Sequence, residues 1–158
     1  MTSIAATTQP EQAPGRRHPG GRLRALRGPA IAGAVTGILQ AASPLAFWWL
    51  EPKTVYALGI AVIAAIYIGF SVADGRGHVI AIETIVAALF VVVAAAGVTG
   101  SAWLLVLGLA GHGLKDLWQH RTHFVRNTRW WPPFCATVDF VAAGILAGAV
   151  LTGVSFHG

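Results

Sequence analysis

Charged residues are scarce in this chain: Asp, Glu, Lys and Arg make up only 11% of its 158 residues. A soluble domain usually carries about a quarter charged residues. Hydrophobic residues make up 55% of the chain, and the mean hydropathy is +0.65. Because water cannot solvate most of such a surface, the composition excludes an ordinary soluble domain and predicts one compact membrane domain.

Cysteine and acidic residues are also few. The single cysteine, Cys135, excludes an intramolecular disulfide and is more typical of a small packing residue than of a ligand. Six acidic residues stand against eleven Lys and Arg. This basic balance does not indicate a nucleic-acid partner, because the sequence contains no folded soluble module that would carry one.

Long apolar runs fill most of the chain, and each approaches the ~20 residues that a helix needs to cross a bilayer. They cover roughly residues 29–50, 54–73, 79–98, 101–120 and 132–155. The connections are short, which makes consecutive helices neighbours in an up-down bundle. The predicted fold class is an all-α integral membrane protein in which five transmembrane helices occupy residues 29–158. Residues 1–28, rich in Pro, Gly, Ala and Arg, are predicted to be a disordered basic cytosolic tail.

The basic residues are distributed unequally between the two sides of this bundle. Ten of the eleven fall on the side of the N-terminus, and Lys53 alone falls on the other side. Because Lys and Arg are enriched in cytosolic loops, the N-terminus is predicted inside and the C-terminus outside, in a multi-pass protein of the plasma membrane. The ten residues assigned to the cytosolic side are Arg16, Arg17, Arg22, Arg24, Arg27, Arg76, Lys115, Arg121, Arg126 and Arg129.

Small residues are frequent in the last span, where Gly144 and Gly148 form a small-xxx-small pair. Such pairs permit the close approach of two helices in a membrane. The pattern predicts tight helix packing at this position. Membrane lipids are the expected surroundings, and a homo-oligomer is compatible with the sequence.

The fourth span carries an unusual polar face made of His112, Asp116, His120 and His123. At about 100° per residue, these side chains project within an arc of roughly 80°. Ionisable groups in a bilayer are costly, so they usually face the bundle interior and mark a functional site. Asp116 lies near the C-terminal end of its helix, where the helix dipole disfavours an anion, and it therefore needs a cationic or metal partner.

Four carboxylates come one each from spans two to five, all within roughly 10 Å of the cytosolic boundary at about 1.5 Å per residue. They are Asp74, Glu83, Asp116 and Asp139. Asp74 continues a polar stripe that begins at Tyr67, although a simple interfacial pair with Arg76 is the alternative for it. This clustering at one depth predicts a shared site.

Two kinds of chemistry suit such a cluster. The candidate catalytic residues are His112, Asp116, Asp139 and Glu83. One divalent metal ion is a candidate cofactor, held by His112, Asp116 and His120 at helical spacing. Without a metal, a carboxylic acid kept protonated in the apolar bundle can act as a general acid towards an alkene or epoxide of an isoprenoid substrate.

The candidate substrate-binding residues are Asp74, Tyr67, Arg121 and Trp130. The last two belong to the inner connection 119–131, which is rich in arginine and aromatic residues. This composition is typical of an interfacial anchor, and the alternative is recognition of a phosphate or diphosphate headgroup.

Three functions are compatible with the sequence. The first is a membrane enzyme whose lipid or isoprenoid-like substrate enters sideways between helices. The second is a non-catalytic subunit or assembly factor whose polar cluster holds the bundle together. The third is a proton- or cation-coupled transporter, although the outer half offers few polar residues beyond Gln40, Ser43, Thr99 and Ser101. An enzyme requires an open pocket at the cluster, whereas a structural network is filled by mutual hydrogen bonds.

Overall fold

The computed structural model describes residues 19–127 and 129–154. Within these residues the chain is all-helical, as predicted, and forms five helices. They are α1 (Pro19–Ala46), α2 (Pro52–Asp74), α3 (Gly77–Thr99), α4 (Ala102–Thr122) and α5 (Trp131–Leu151).

Four helices of the described part are long and apolar enough to cross a membrane: α2, α3, α5 and the segment Arg24–Ala46 of α1. These helices suggest a multi-pass membrane protein. Helix α4 is as long as α5 but less apolar, because it carries His112, Lys115, Asp116 and Gln119 on its buried side. The polar residues of α4 that predict a functional site are therefore also the ones that make this helix less apolar than the other four.

Helix α1 begins earlier than the expected start of the first span. It starts at Pro19 and continues through Pro29 and Pro44, so residues 19–28 are helical instead of belonging to a disordered tail. The Leu, Ala and Arg residues between positions 22 and 27 are strong helix formers. The overall composition of residues 1–28, rich in Pro and Gly, does not reveal this local helix preference. The rest of the predicted tail, residues 1–18, lies outside the described residues.

Helices α1 and α5 pack side by side and run parallel, with glycines at the contact. A Cβ atom at Gly33 would lie 2.5 Å from the carbonyl oxygen of Phe134, and one at Gly37 would lie 2.7 Å from that of Val138. By contrast, nothing in the described part lies within 4 Å of a Cβ at Gly144 or Gly148. The expected tight packing of α5 is therefore made by the glycines of α1, and the predicted Gly144–Gly148 pair faces outwards.

The bundle has an apolar half and a polar half. Towards the α3–α4 turn, a core of fully buried residues joins α2, α4 and α5, and includes Ile60, Leu105, Leu109 and Leu146. The next turns of α4 carry His112 and the residues after it towards the α4–α5 connection. The apolar half holds the helices together, and the polar half contains the candidate site.

Candidate functional site

A buried triad of ionisable side chains lies between α4 and α5. His112 Nδ1 is 2.9 Å from Asp139 Oδ2 and 3.7 Å from Asp116 Oδ2. The two carboxylates are fully buried, and the imidazole is 2% exposed. The triad therefore unites three of the four predicted catalytic residues in a place without contact to solvent.

Local sequence explains how these side chains meet. His112 and Asp116 are four residues apart on α4 and so share a face, whereas Asp139 lies in the second turn of α5. A Cβ at Gly113 would lie 3.1 Å from the ring of Phe140, so a larger residue there would push α5 away. Glycine beside His112 is thus what lets α5 carry its carboxylate to the imidazole.

Aromatic rings and a lysine surround the imidazole of His112. The rings of Tyr67 and Phe90 meet it edge-on, with centroids 5.3 Å and 4.8 Å away. Lys115 Nζ lies 3.7 Å from the centroid of the Tyr67 ring, a distance at which a cation is attracted to the ring face. The predicted residue Tyr67 therefore forms a wall of the triad.

Several polar atoms of the triad are buried without an aligned hydrogen bond among the described residues. They are both carboxylate oxygens of Asp116, Asp139 Oδ1 and the hydroxyl oxygen of Tyr67, although this hydroxyl lies close to Asp116. A buried carboxylate that lacks a partner is costly unless a proton or a cation neutralises it. A protonated His112 balances one of the two carboxylates, so the second requires one more proton or a bound cation.

Glu83, the fourth predicted catalytic residue, belongs to a different interaction. Its Oε2 atom lies 2.7 Å from Lys115 Nζ, and its Oε1 atom accepts a 2.6 Å hydrogen bond from Gln119 Nε2. This pair is electrically balanced, which makes Glu83 a structural partner and not a member of the triad. Sequence reasoning missed Lys115 and Gln119, although their separation of one helical turn on α4 indicates that they share a face.

Asp74 forms the interfacial pair with Arg76 that is the alternative to its predicted role in substrate binding. Its carboxylate accepts hydrogen bonds from Arg76 Nε at 2.5 Å, from the second guanidinium nitrogen at 2.7 Å, and from the backbone amide of Arg126 at 2.6 Å. The hydrogen bonds to Asp74 and the charge of its carboxylate raise the pKa of the Arg76 guanidinium above its ordinary value. The guanidinium also donates to the carbonyl oxygen of Phe124 at 2.6 Å. Asp74 therefore ties the α4–α5 connection to the end of α2.

The structure separates the other predicted residues from the triad. His120, Arg121 and Trp130 line a different hollow, at the end of α4. Among the described residues, the side chains placed to share a metal ion are His112, Asp116 and Asp139, whose ligand atoms lie within 4.8 Å of one another. Asp139 thus takes the place predicted for His120, and the mixture of imidazole and carboxylate suits a divalent ion.

A cavity of about 420 Å³ runs between α1, α2 and α5 and reaches the triad. Its walls are mostly apolar, and Asp139 and Cys135 are among the residues that line it. Gln40 also lines the cavity, and its side-chain nitrogen is buried without a hydrogen-bond partner in the described part. The sequence carried a signal for this wall, since Thr36, Gln40 and Ser43 recur at the spacing of one helix face.

The comparisons find no family model, no curated protein and no solved structure that matches this chain.

Proposed function

We propose that the protein is a membrane enzyme that acts on a lipid or isoprenoid-like substrate by acid–base or metal-assisted chemistry at the His112–Asp116–Asp139 triad. The observation that carries this proposal is the cavity between α1, α2 and α5, a largely apolar space that has Asp139 among its lining residues. A polar network that only holds helices together does not require such a cavity beside it.

The shape of the cavity supports access from the lipid. Leu58, Val62 and Ile66 of α2 line it, and their exposed fractions of 53%, 59% and 42% place them at the bundle surface as well. The cavity therefore opens sideways between α1 and α2. Because its walls are apolar, they favour a hydrocarbon chain and exclude water from the polar end.

The contacts of Asp139 suit a general acid or base. Its Oδ2 atom is held by His112 at 2.9 Å, while its Oδ1 atom has no aligned hydrogen bond among the described residues. Asp139 also lines the cavity, so it is the triad member assigned to the substrate. In the metal-free form, the proton of the Asp139 carboxyl group passes to an alkene carbon or an epoxide oxygen, and loss of a proton from the resulting substrate cation to the same carboxylate restores the acid, while His112 orients the carboxyl group. A divalent ion would be held by His112, Asp116 and Asp139 and would supply Lewis-acid polarisation of the reacting group.

The unpartnered atoms argue against the alternative of a purely structural cluster. A network that only holds helices together is stable when its buried charges are paired at close range, as Glu83 is with Lys115 Nζ at 2.7 Å, whereas His112 Nδ1 lies 3.7 Å from Asp116. Asp116 departs from that pattern. A cation-coupled transporter would also use unpartnered carboxylates, but the cavity beside Asp139 is largely apolar.

We further propose that α4 crosses the membrane with the four apolar helices, in the plasma membrane. Its buried residues Leu105 and Leu109 join the common core, and its polar side is turned inwards. With five crossings, the excess of basic residues places the N-terminus and the α4–α5 connection in the cytosol.

Photolabelling in reconstituted membranes tests this function. A long-chain probe that carries a diazirine should modify the cavity residues Leu58, Val62 and Val138 in preference to the lipid-facing Leu89 and Val92 of α3. Uniform labelling of all apolar faces would show that the cavity takes up no chain.

Two leucine variants on α2 sharpen this test. Gly59→Leu fills the cavity, because a Cβ there already lies 2.7 Å from the flexible side chain of Gln40. Gly69→Leu is the matched control, since a Cβ at Gly69 meets nothing within 4 Å. Only Gly59→Leu should reduce labelling.

The reaction itself is tested by lipid mass spectrometry of membranes that contain the wild-type protein or Asp139→Asn. At least one lipid species should change in abundance with the wild-type protein alone. Identical lipid profiles for wild type, Asp139→Asn and Gly59→Leu would refute the assignment as an enzyme of membrane lipids.

A further inference from the structure

A second hollow lies where α4 runs into α5, beside the first described turns of α1. Its volume is about 680 Å³, and its walls include His120, Arg121, His123, Arg129 and Trp130. It shares no lining residue with the cavity that reaches the triad. It is therefore a separate feature of the molecule.

The side chains of this hollow carry positive charge that nothing in the described part balances. The described ion pairs involve Arg76, His112 and Lys115, and none of them includes Arg121 or Arg129. No described acidic residue lines the hollow. The carboxylate tied to the same connection, Asp74, is already occupied by Arg76 and by the amide of Arg126. The two arginines of the hollow are thus available to an anion.

The segment that carries these arginines is held in place. Its amide at Arg126 and its carbonyl at Phe124 are bonded to the end of α2, and Val125 between them is only 3% exposed. At the other edge, the ring of Trp130 stacks on Phe134 with centroids 4.7 Å apart and planes inclined by 20°. A positive site built on a fixed segment loses less conformational entropy on binding than one on a free loop.

The edges of the hollow add an apolar surface to this charge. Leu26 of α1 and Trp130 line it and are 37% and 41% exposed. Arginine presents a planar set of donors that pairs in bidentate fashion with phosphate oxygens. A ligand that matches both surfaces carries a phosphate group on an apolar chain.

We propose that this hollow binds the phosphate group of an amphiphile, through Arg121 and Arg129, with Leu26 and Trp130 against the first part of its chain. The site goes beyond the proposed function and does not depend on it, since it uses none of the triad or cavity residues. The shared chemistry is a phosphate monoester or diphosphate, whose source is either a lipid headgroup or a free phosphate compound.

Native mass spectrometry of the full chain from nanodiscs tests the proposal. The discs contain phosphatidylcholine with a minor fraction of phosphatidic acid. The wild-type protein should retain phosphatidic acid in preference to phosphatidylcholine. The double variant Arg121→Gln/Arg129→Gln should lose this preference by about tenfold or more, as expected for the loss of hydrogen bonds between charged groups.

Two further variants separate a built site from diffuse attraction. Arg126→Gln removes one charge from the same connection but from outside the hollow, and it should keep the preference. The double variant Arg121→Lys/Arg129→Lys keeps the charge without the bidentate donors and should bind with intermediate affinity. Equal loss in Arg126→Gln and in the double glutamine variant would overturn the site, because it would show that only the net charge matters.

The source of the phosphate is distinguished by competition. Inorganic pyrophosphate that displaces phosphatidic acid from the wild-type protein would show that the phosphate group alone is recognised. Retention of the lipid in its presence would show that the chain contributes as well. A wild-type protein with no preference for phosphatidic acid, and no binding of pyrophosphate, would refute the proposal whatever the outcome of the photolabelling.

Discussion

Replacement of Asp116 by asparagine should leave the fold as stable as before, or make it more stable. The carboxylate of Asp116 is fully buried, and neither of its oxygens makes an aligned hydrogen bond in the described part. Its helix position near the C-terminus of α4 gives it no help from the dipole. Asp116→Asn keeps the shape of the side chain and removes the charge that the interior does not balance.

The expected change in the free energy of unfolding of Asp116→Asn depends on the carboxylate of Asp139 beside it. The new amide at position 116 can donate to Asp139 Oδ1, which is otherwise unpartnered. A hydrogen bond to a charged group contributes about 1.5–3 kcal/mol. We therefore expect the free energy of unfolding to change by between about 0 and +3 kcal/mol.

Glu83→Gln is the matched control, since it makes the same chemical change at another buried acid. Glu83 is paired with Lys115 Nζ at 2.7 Å, and the side chain of Lys115 is only 11% exposed. Removing one partner of a buried pair leaves the other charge uncompensated and costs about 3–5 kcal/mol. This variant should therefore unfold much more easily than the wild-type protein.

The measurement is equilibrium unfolding of both variants in mixed micelles with a chelator present, followed by tryptophan fluorescence. The chelator keeps a bound metal from contributing to the stability of the wild-type protein. A loss of stability in Asp116→Asn as large as that in Glu83→Gln would refute the reasoning. It would show that Asp116 belongs to a satisfied structural network and not to a functional triad.

Three other predictions follow from the site and the fold. Dialysis against Zn²⁺ or Mn²⁺ should leave about one equivalent on the wild-type protein and on Glu83→Gln, but none on Asp139→Asn, as for a site with three protein ligands and one open position. Elemental analysis measures this, and equal metal on all three would mark the binding as adventitious. Gly33→Leu should lower the free energy of unfolding by about 1–3 kcal/mol through overpacking against α5. Gly144→Leu should not, because nothing lies within 4 Å of a Cβ at this position. The same unfolding assay compares the two variants, and equal losses of stability would contradict the α1–α5 contact. A reporter fused to the C-terminus should be active only outside the cytosol, and a cytosolic signal would refute five crossings.

Much of the helical framework could be predicted from the sequence, because it depends on local properties. The lengths of the apolar runs give α2, α3 and α5 nearly as observed. The spacing of His112 and Asp116 places them on one face of α4, since the period of a helix does not depend on its neighbours. The start of α1 at Pro19 differs from the prediction, because the strong helix formers at positions 22–27 lie in a tail whose overall composition is typical of a disordered segment.

The composition of the site was less accessible. Glu83 lies at the depth expected from its position, yet α3 presents it to Lys115 and not to His112. His120 continues the face of His112 but lines another hollow, while Asp139 completes the triad from α5. These differences depend on the rotation of each helix about its axis. The depth of a residue along its helix, which the sequence gives, does not determine that rotation.

Local sequence patterns therefore predict an all-helical membrane protein, its helices, and His112 and Asp116 at the centre of the site. Only the packing of the helices brings Asp139 to these two side chains, keeps Glu83 apart from them, and leaves the cavity between α1, α2 and α5. Helices in a bilayer are not oriented by a hydrophobic face, because the lipid tails are as apolar as the core. Their order and rotation depend on close packing at positions such as Gly33 and Gly113, which the hydropathy pattern does not record.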